Sequence, residues 1–161
     1  MQYIKDHIPI TINKRPGRHI IPEYITIHST ANPSSTAKNE RDWLLNPQNT
    51  RVASWHICID ENQAIEAIPL SEMAYHAGTD KGNSTSIGVE MCESGHSATV
   101  ISNTADLVAG MLHERHWGVD RLKRHYDWSG KNCPRILNER GWQGWEEFKT
   151  AVEIKLSELI N

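Results

Sequence analysis

The chain has 161 residues and a formal net charge of −3, which suits one domain over 1–161, long enough to bury roughly two-thirds of its unfolded surface without disulfide staples. Its pI near 6.3 leaves no basic footprint for a phosphate backbone, so nucleic acid is excluded as the expected partner. Three cysteines are too few and too odd in number for a stapled secreted scaffold.

Met1 to Pro16 alternates polar and apolar residues without the apolar core of a secretory signal, and no stretch approaches a membrane span. The expectation is a monomer made in the cytoplasm without a signal peptide and not inserted in a membrane. Tyr24 to His28 then predicts a buried strand. Ser35 to Leu45 is compatible with a helix, stopped at Asn46-Pro47 because the residue before proline avoids the helical region.

Val52 to Asp60 and Ala64 to Pro69 predict a hairpin turning at Glu61-Asn62-Gln63. Gly78 to Thr85 has the composition of a long loop, and Ser86 to Cys92 predicts a further strand. Thr104 to His116 carries a helical apolar face with Gly118 as its expected left-handed stop. From Trp142 onward, Trp145, Phe148, Val152, Leu156 and Leu159 form a core-facing helical stripe. Strands interleaved with helices predict an α/β domain, a central mixed sheet flanked by helices.

Side chains alternate across a strand, so Thr26 and His28 share one face while Ile25 and Ile27 share the other. Gly88 and Glu90 likewise share a face, which allows an imidazole and a carboxylate on one side of the sheet. Arg124 to Arg135 is polar and contains glycine, and it presents His125 and Cys133 eight positions apart. Zinc takes imidazole nitrogen at ~2.0 Å and thiolate sulfur at ~2.3 Å, and a catalytic site keeps a fourth position open. On residue chemistry alone, His28, His125 and Cys133 are one of many triplets that nine histidines and three cysteines allow.

Six segments together resemble the type 2 N-acetylmuramoyl-L-alanine amidases, above all the catalytic domains of Bacillus phage and prophage endolysins. They are Arg15-Pro16-Gly17, Tyr24 to Asn32, Ser54-Trp55-His56, His76-Ala77-Gly78, Ser86 to Glu90, and Trp128 to Arg135. The resemblance runs almost end to end and implies the fold shared with animal peptidoglycan recognition proteins. It implies one Zn2+ per chain on His28, His125 and Cys133, Glu90 as catalytic carboxylate, and Lys131 beside the scissile carbonyl. His76 matches a groove-lining histidine, and His56 and Trp55 are further candidate substrate contacts. Ser29 departs from the asparagine that often follows the first ligand.

The implied activity is hydrolysis of the amide joining N-acetylmuramic acid to L-alanine in bacterial peptidoglycan. The implied setting is a phage or prophage endolysin reaching the wall after holin-mediated release. The alternatives are a bacterial autolysin, a non-catalytic peptidoglycan-binding module, and a zinc-stabilised structural domain closed by a fourth protein ligand. Cys58 and Cys92 are expected to be buried as small hydrophobes.

Overall fold

The computed structural model describes residues 1–161 as a six-stranded sheet with helices on both faces. In chain order the elements are β1 (Gln2–Lys5), β2 (Tyr24–Ser29), α1 (Ala37–Trp43), β3 (Ile57–Ile59), β4 (Gln63–Glu66) and α2 (Asp80–Thr85). They continue with β5 (Ser86–Met91), α3 (Ser97–Glu114), β6 (Leu122–Arg124), α4 (His125–Ser129) and α5 (Glu139–Ile160). Strand order is β1-β4-β3-β5-β2-β6, parallel throughout except for the β3–β4 hairpin. The expected mixed sheet is therefore present.

The strand alternation divides the molecule into a packed side and a chemical side. Ile25, Ile27, Ile57, Ile59, Ile87, Val89 and Met91 join Val108, Leu112, Trp145, Phe148 and Val152 in the main core under α3 and α5. Thr26, His28, Gly88 and Glu90 occupy the other side, with Thr26 paired to Gly88 and His28 to Glu90 across β2 and β5. A smaller apolar cluster around Ile8, Leu44, Trp55, Cys58 and Cys92 closes that side under α1. Cys58 and Cys92 are fully buried in it as expected, their sulfurs 3.5 Å apart.

Several local expectations need correction. Gly78 to Thr85 is not all loop. The Thr79 hydroxyl accepts the Gly82 N–H at 3.1 Å and starts α2, a side-chain cap with Asp80 in the first turn. α3 begins seven residues before Thr104, because Val100 and Thr104 bury themselves on the core and the Thr104 hydroxyl donates to the Val100 carbonyl at 2.7 Å. Its end is set by His116 at φ +55 rather than by Gly118. Trp117 N–H reaches the Leu112 carbonyl at 2.9 Å and His116 N–H the His113 carbonyl at 3.1 Å, the paired bonds of a Schellman closure.

The hairpin strands are shorter than expected. Asp60 Oδ1 accepts the N–H groups of Asn62 and Gln63 at 2.8 and 3.0 Å, making the turn and leaving Gln63 in β4. Val52 to His56 runs outside the ladder. In α5, Arg140 to Trp142 have left-handed backbone, and the stripe buries Trp145, Phe148, Val152 and Leu156 but leaves Leu159 about half exposed. β1 and β6 are short edge strands that the apolar pattern did not mark.

Candidate metal centre

The parallel strands β2 and β6 carry the first two candidate ligands out at the same end of the sheet. Ile27 pairs with Arg124, so His28 and His125 follow side by side. The third arrives through the turn after β6. Asp127 Oδ2 accepts the Arg124 N–H at 2.7 Å to start α4, and Gly130, at φ +76, ends it where a side chain would be strained. Tyr126 N–H then donates to the Cys133 carbonyl at 3.1 Å, which folds Cys133 back beside His125.

His28 Nδ1 lies 3.1 Å from His125 Nδ1 and 3.7 Å from Cys133 Sγ, and the three ligand atoms fall within 4.8 Å of one another. A tetrahedral ion with bonds of about 2.0–2.3 Å would set such edges at roughly 3.3–3.6 Å. All three residues are buried.

The hydrogen bonds around the trio decide which nitrogens carry protons. His76 Nε2 faces the Ser86 carbonyl at 3.2 Å, which can only accept, so this nitrogen bears the hydrogen. Burial holds the His76 pKa down to about 3, so the ring is neutral and its Nδ1 accepts. His28 Nε2, 2.9 Å away, therefore donates to it. On His125, Nε2 lies beside the Ala77–Gly78 peptide, and the Ala77 backbone there favours a hydrogen on the ring.

Both inward Nδ1 atoms thus present lone pairs to each other at 3.1 Å with a sulfur alongside. Three electron-rich atoms facing one point, with outer hydrogen bonds fixing the tautomers, are the donor set of a soft or borderline divalent cation such as zinc. The residues present fit that ion. Burial keeps His28 and His125 below the ordinary histidine range, His125 at about 4, as neutral ligands require. The same burial raises the bare Cys133 thiol to about 12, a shift that metal coordination would reverse.

Glu90 stands next to this group on β5, and its pKa is raised to about 8, first by burial, then by Glu40, with Lys131 opposing. Two buried side-chain oxygens in the protein lack any partner, Glu90 Oε2 and the Ser29 hydroxyl, and both residues line the cleft around the trio. An unpartnered buried oxygen is costly, and both of these lie beside the candidate metal site. Lys131 is exposed at the cleft mouth with no carboxylate partner, close enough to act on His28, His125, Glu90 and Cys133.

The cleft holds about 960 Å³ and runs from the trio past α1 to the Asn49–Trp55 segment. That is the upper end of the range for small-ligand sites. Trp43, expected only as a helix residue, is 45% exposed on this wall, an aromatic surface that helical periodicity could not distinguish from core.

The expected substrate contacts fare differently. His56 is fully buried and does not line the cleft; its Nε2 donates to the Glu72 carbonyl at 2.7 Å and its Nδ1 accepts the Gly88 N–H at 2.8 Å. It is a structural histidine. His76 lines the cleft, but both its nitrogens are engaged, so it orients His28 instead of offering a free polar atom. Trp55 lines the cleft while 6% exposed and packed in the smaller apolar cluster. Trp128 lies behind the site, its indole N–H donating to Thr26 Oγ1 at 2.9 Å.

Residues 16–136 match the family described as N-acetylmuramoyl-L-alanine amidase. The chain is 44% identical over 146 residues to the N-acetylmuramoyl-L-alanine amidase CwlA of Bacillus subtilis (strain 168), covering 85% of this chain and 51% of that one. It is 42% identical to XlyB of the same organism, covering 84% and 43%. The chain thus spans about half the length of these curated relatives. The solved structure of the catalytic domain of XlyA superposes with a TM-score of 0.86 at 35% identity, covering 94% of this chain and 99% of that domain. The structure of PlyL gives 0.84 at 30% identity, covering 96% and 99%. By both sequence and fold, this chain belongs to the N-acetylmuramoyl-L-alanine amidase family.

Proposed function

We propose that residues 1–161 form one catalytic unit that uses a single zinc ion to hydrolyse the amide between N-acetylmuramic acid and L-alanine in peptidoglycan. The observation that carries this reading is the convergence of His28 Nδ1, His125 Nδ1 and Cys133 Sγ beside the unpartnered Glu90 Oε2 in one cleft. The family supplies the bond to be cut.

A bound zinc ion would supply Lewis acidity and an acidified water at neutral pH. The protein's own groups do the rest. Glu90, in the carboxylate form that a neighbouring bound cation would favour, takes a proton from the attacking water and returns it to the departing L-alanine nitrogen. Lys131 brings a cation to the cleft mouth, where it can stabilise the oxyanion developing on the carbonyl. The His28–His76–Ser86 hydrogen-bond chain keeps the first imidazole from rotating away.

The chain acts as a monomer on the wall, and its setting is a phage or prophage endolysin that reaches the wall from the cytoplasm through a holin-made lesion. Similarity to a solved endolysin from Bacillus subtilis, with a TM-score of 0.86 at 34% identity, supports that setting. No helix is long and apolar enough to cross a membrane. The test is titration of new amino groups released from purified sacculi. Chelation should abolish the release and added zinc restore it; full release by exhaustively metal-free protein would refute the zinc reading.

A further inference from the structure

The outer partners of both imidazoles come from one short segment. His76 Nδ1 receives His28 Nε2–H at 2.9 Å, and the next residue, Ala77, offers its backbone to His125. Whatever fixes His76 and Ala77 therefore fixes the two nitrogen ligands together.

This segment belongs to no strand or helix, so its own N–H groups must find acceptors elsewhere. Both end on the same atom: His76 N–H and Ala77 N–H donate to Asn83 Oδ1 at 2.9 and 2.7 Å, and neither has another partner. A side-chain carbonyl with two lone pairs is suited to two converging donors. Asn83 is buried on the inner side of α2, its own N–H bonded to the Thr79 carbonyl at 3.0 Å.

α2 has no room to move closer to this segment. A Cβ on Gly82 would lie 2.4 Å from the Ala77 Cβ and 2.9 Å from the Trp128 ring, so the helix is pressed against the segment it holds. On the other side of the His76 ring, a Cβ on Gly88 would come within 2.6 Å. The ring is clamped between β5 and the Asn83-bound backbone.

We propose that Asn83 is a positioning residue for the metal centre, its side-chain carbonyl holding the His76–Ala77 backbone so that both imidazoles present Nδ1 to the ion. The proposal rests on the reading of His28, His125 and Cys133 as a metal site. Loss of the acceptor leaves two buried N–H groups unpaired, and the segment shifts to satisfy them. His28 and His125 then lose their outer partners at once. Changes at such partners weaken metal affinity by about 10- to 100-fold.

The test compares Asn83→Leu, similar in size without an acceptor, with Asn83→Asp, which keeps one. Zinc affinity is measured by competition with a chromophoric chelator, the cobalt-substituted protein is examined by visible absorption, and metal-free melting temperatures serve as the folding control. Asn83→Leu should bind zinc 10- to 100-fold more weakly with an altered cobalt spectrum, while Asn83→Asp stays within a few-fold of wild type. Should the leucine variant not fold, Asn83→Ser, whose hydroxyl is too short to reach both donors, takes its place. Wild-type zinc affinity in the acceptor-less variant, even with a lowered melting temperature, would overturn the proposal by showing a merely structural role. Equal weakening in the aspartate variant would overturn it too. A wild-type chain that binds no zinc would instead overturn the metal reading itself, and the proposal with it.

Discussion

Replacing Glu90 by glutamine should make the metal-free protein more stable, and increasingly so as pH rises. Burial, reinforced by Glu40, raises the Glu90 pKa from the ordinary 4.5 to about 8. At about 1.4 kcal/mol for each tenfold change in proton affinity, that rise corresponds to about 5 kcal/mol, an upper value because the residue is only partly shielded from solvent. The sign follows from proton counting. Between 4.5 and 8 the unfolded chain has lost this proton and the folded chain has kept it, so stability falls with pH at up to about 1.4 kcal/mol per pH unit and levels off above 8. Glutamine does not titrate and escapes this loss.

Denaturant unfolding of both proteins, in chelator, from pH 5 to 9 reads the difference directly. The low-lying histidines His28, His76 and His125 are present in both and cancel to first order. The stability gap should be small at pH 5 and reach several kcal/mol in favour of glutamine by pH 8. A gap constant across the range would refute the burial argument. In the zinc-loaded enzyme the same substitution should lower turnover by roughly 10²- to 10⁴-fold, the scale of a lost general base.

Lys131→Met should reduce kcat by about 10²- to 10³-fold with little change in KM, because a cation aimed at a developing oxyanion acts where the charge appears; steady-state kinetics on a soluble muropeptide, with metal content measured alongside, would show the opposite split if Lys131 only binds substrate. Gly88→Ala should weaken zinc binding by about 10- to 100-fold, since the new Cβ meets the His76 ring at 2.6 Å, and chelator competition reads this. Glu72→Gln should destabilise at neutral pH by about 1.5–3 kcal/mol, through loss of the two charge-assisted bonds from Arg15 at 2.7 and 2.8 Å. Arg15 holds the Glu72 carboxyl below its ordinary range, so this contribution is present at neutral pH and disappears as pH falls through the depressed value; melting curves at pH 7 and in acid should show the gap closing.

The side of the sheet that carries the chemistry was legible in the sequence, because strand alternation alone separates His28 from Ile25 and Ile27 and Glu90 from Val89 and Met91. Convergence of His125 and Cys133 on His28 was not legible from spacing. It depends on β6, a three-residue edge strand whose mixed sequence carries no apolar run, and on the Tyr126 N–H to Cys133 carbonyl bond. Family resemblance closed that gap. The roles of His56 and His76 were out of reach, since an inward-facing histidine looks the same in sequence whether it meets substrate or a carbonyl such as that of Glu72 or Ser86. Asn83 was hidden inside a segment whose composition suggested a loop, although Thr79 followed by Asp80 is a helix start that could have marked α2.

Mass spectrometry of peptidoglycan digested by the zinc-loaded chain tests the central claim most directly. The account predicts stem peptides released with new free L-alanine amino termini, glycan strands left uncut with intact lactyl groups, and no such products from the Glu90→Gln variant. New reducing sugar ends, cleavage within the peptide, or no release at all by folded, zinc-loaded protein would contradict it.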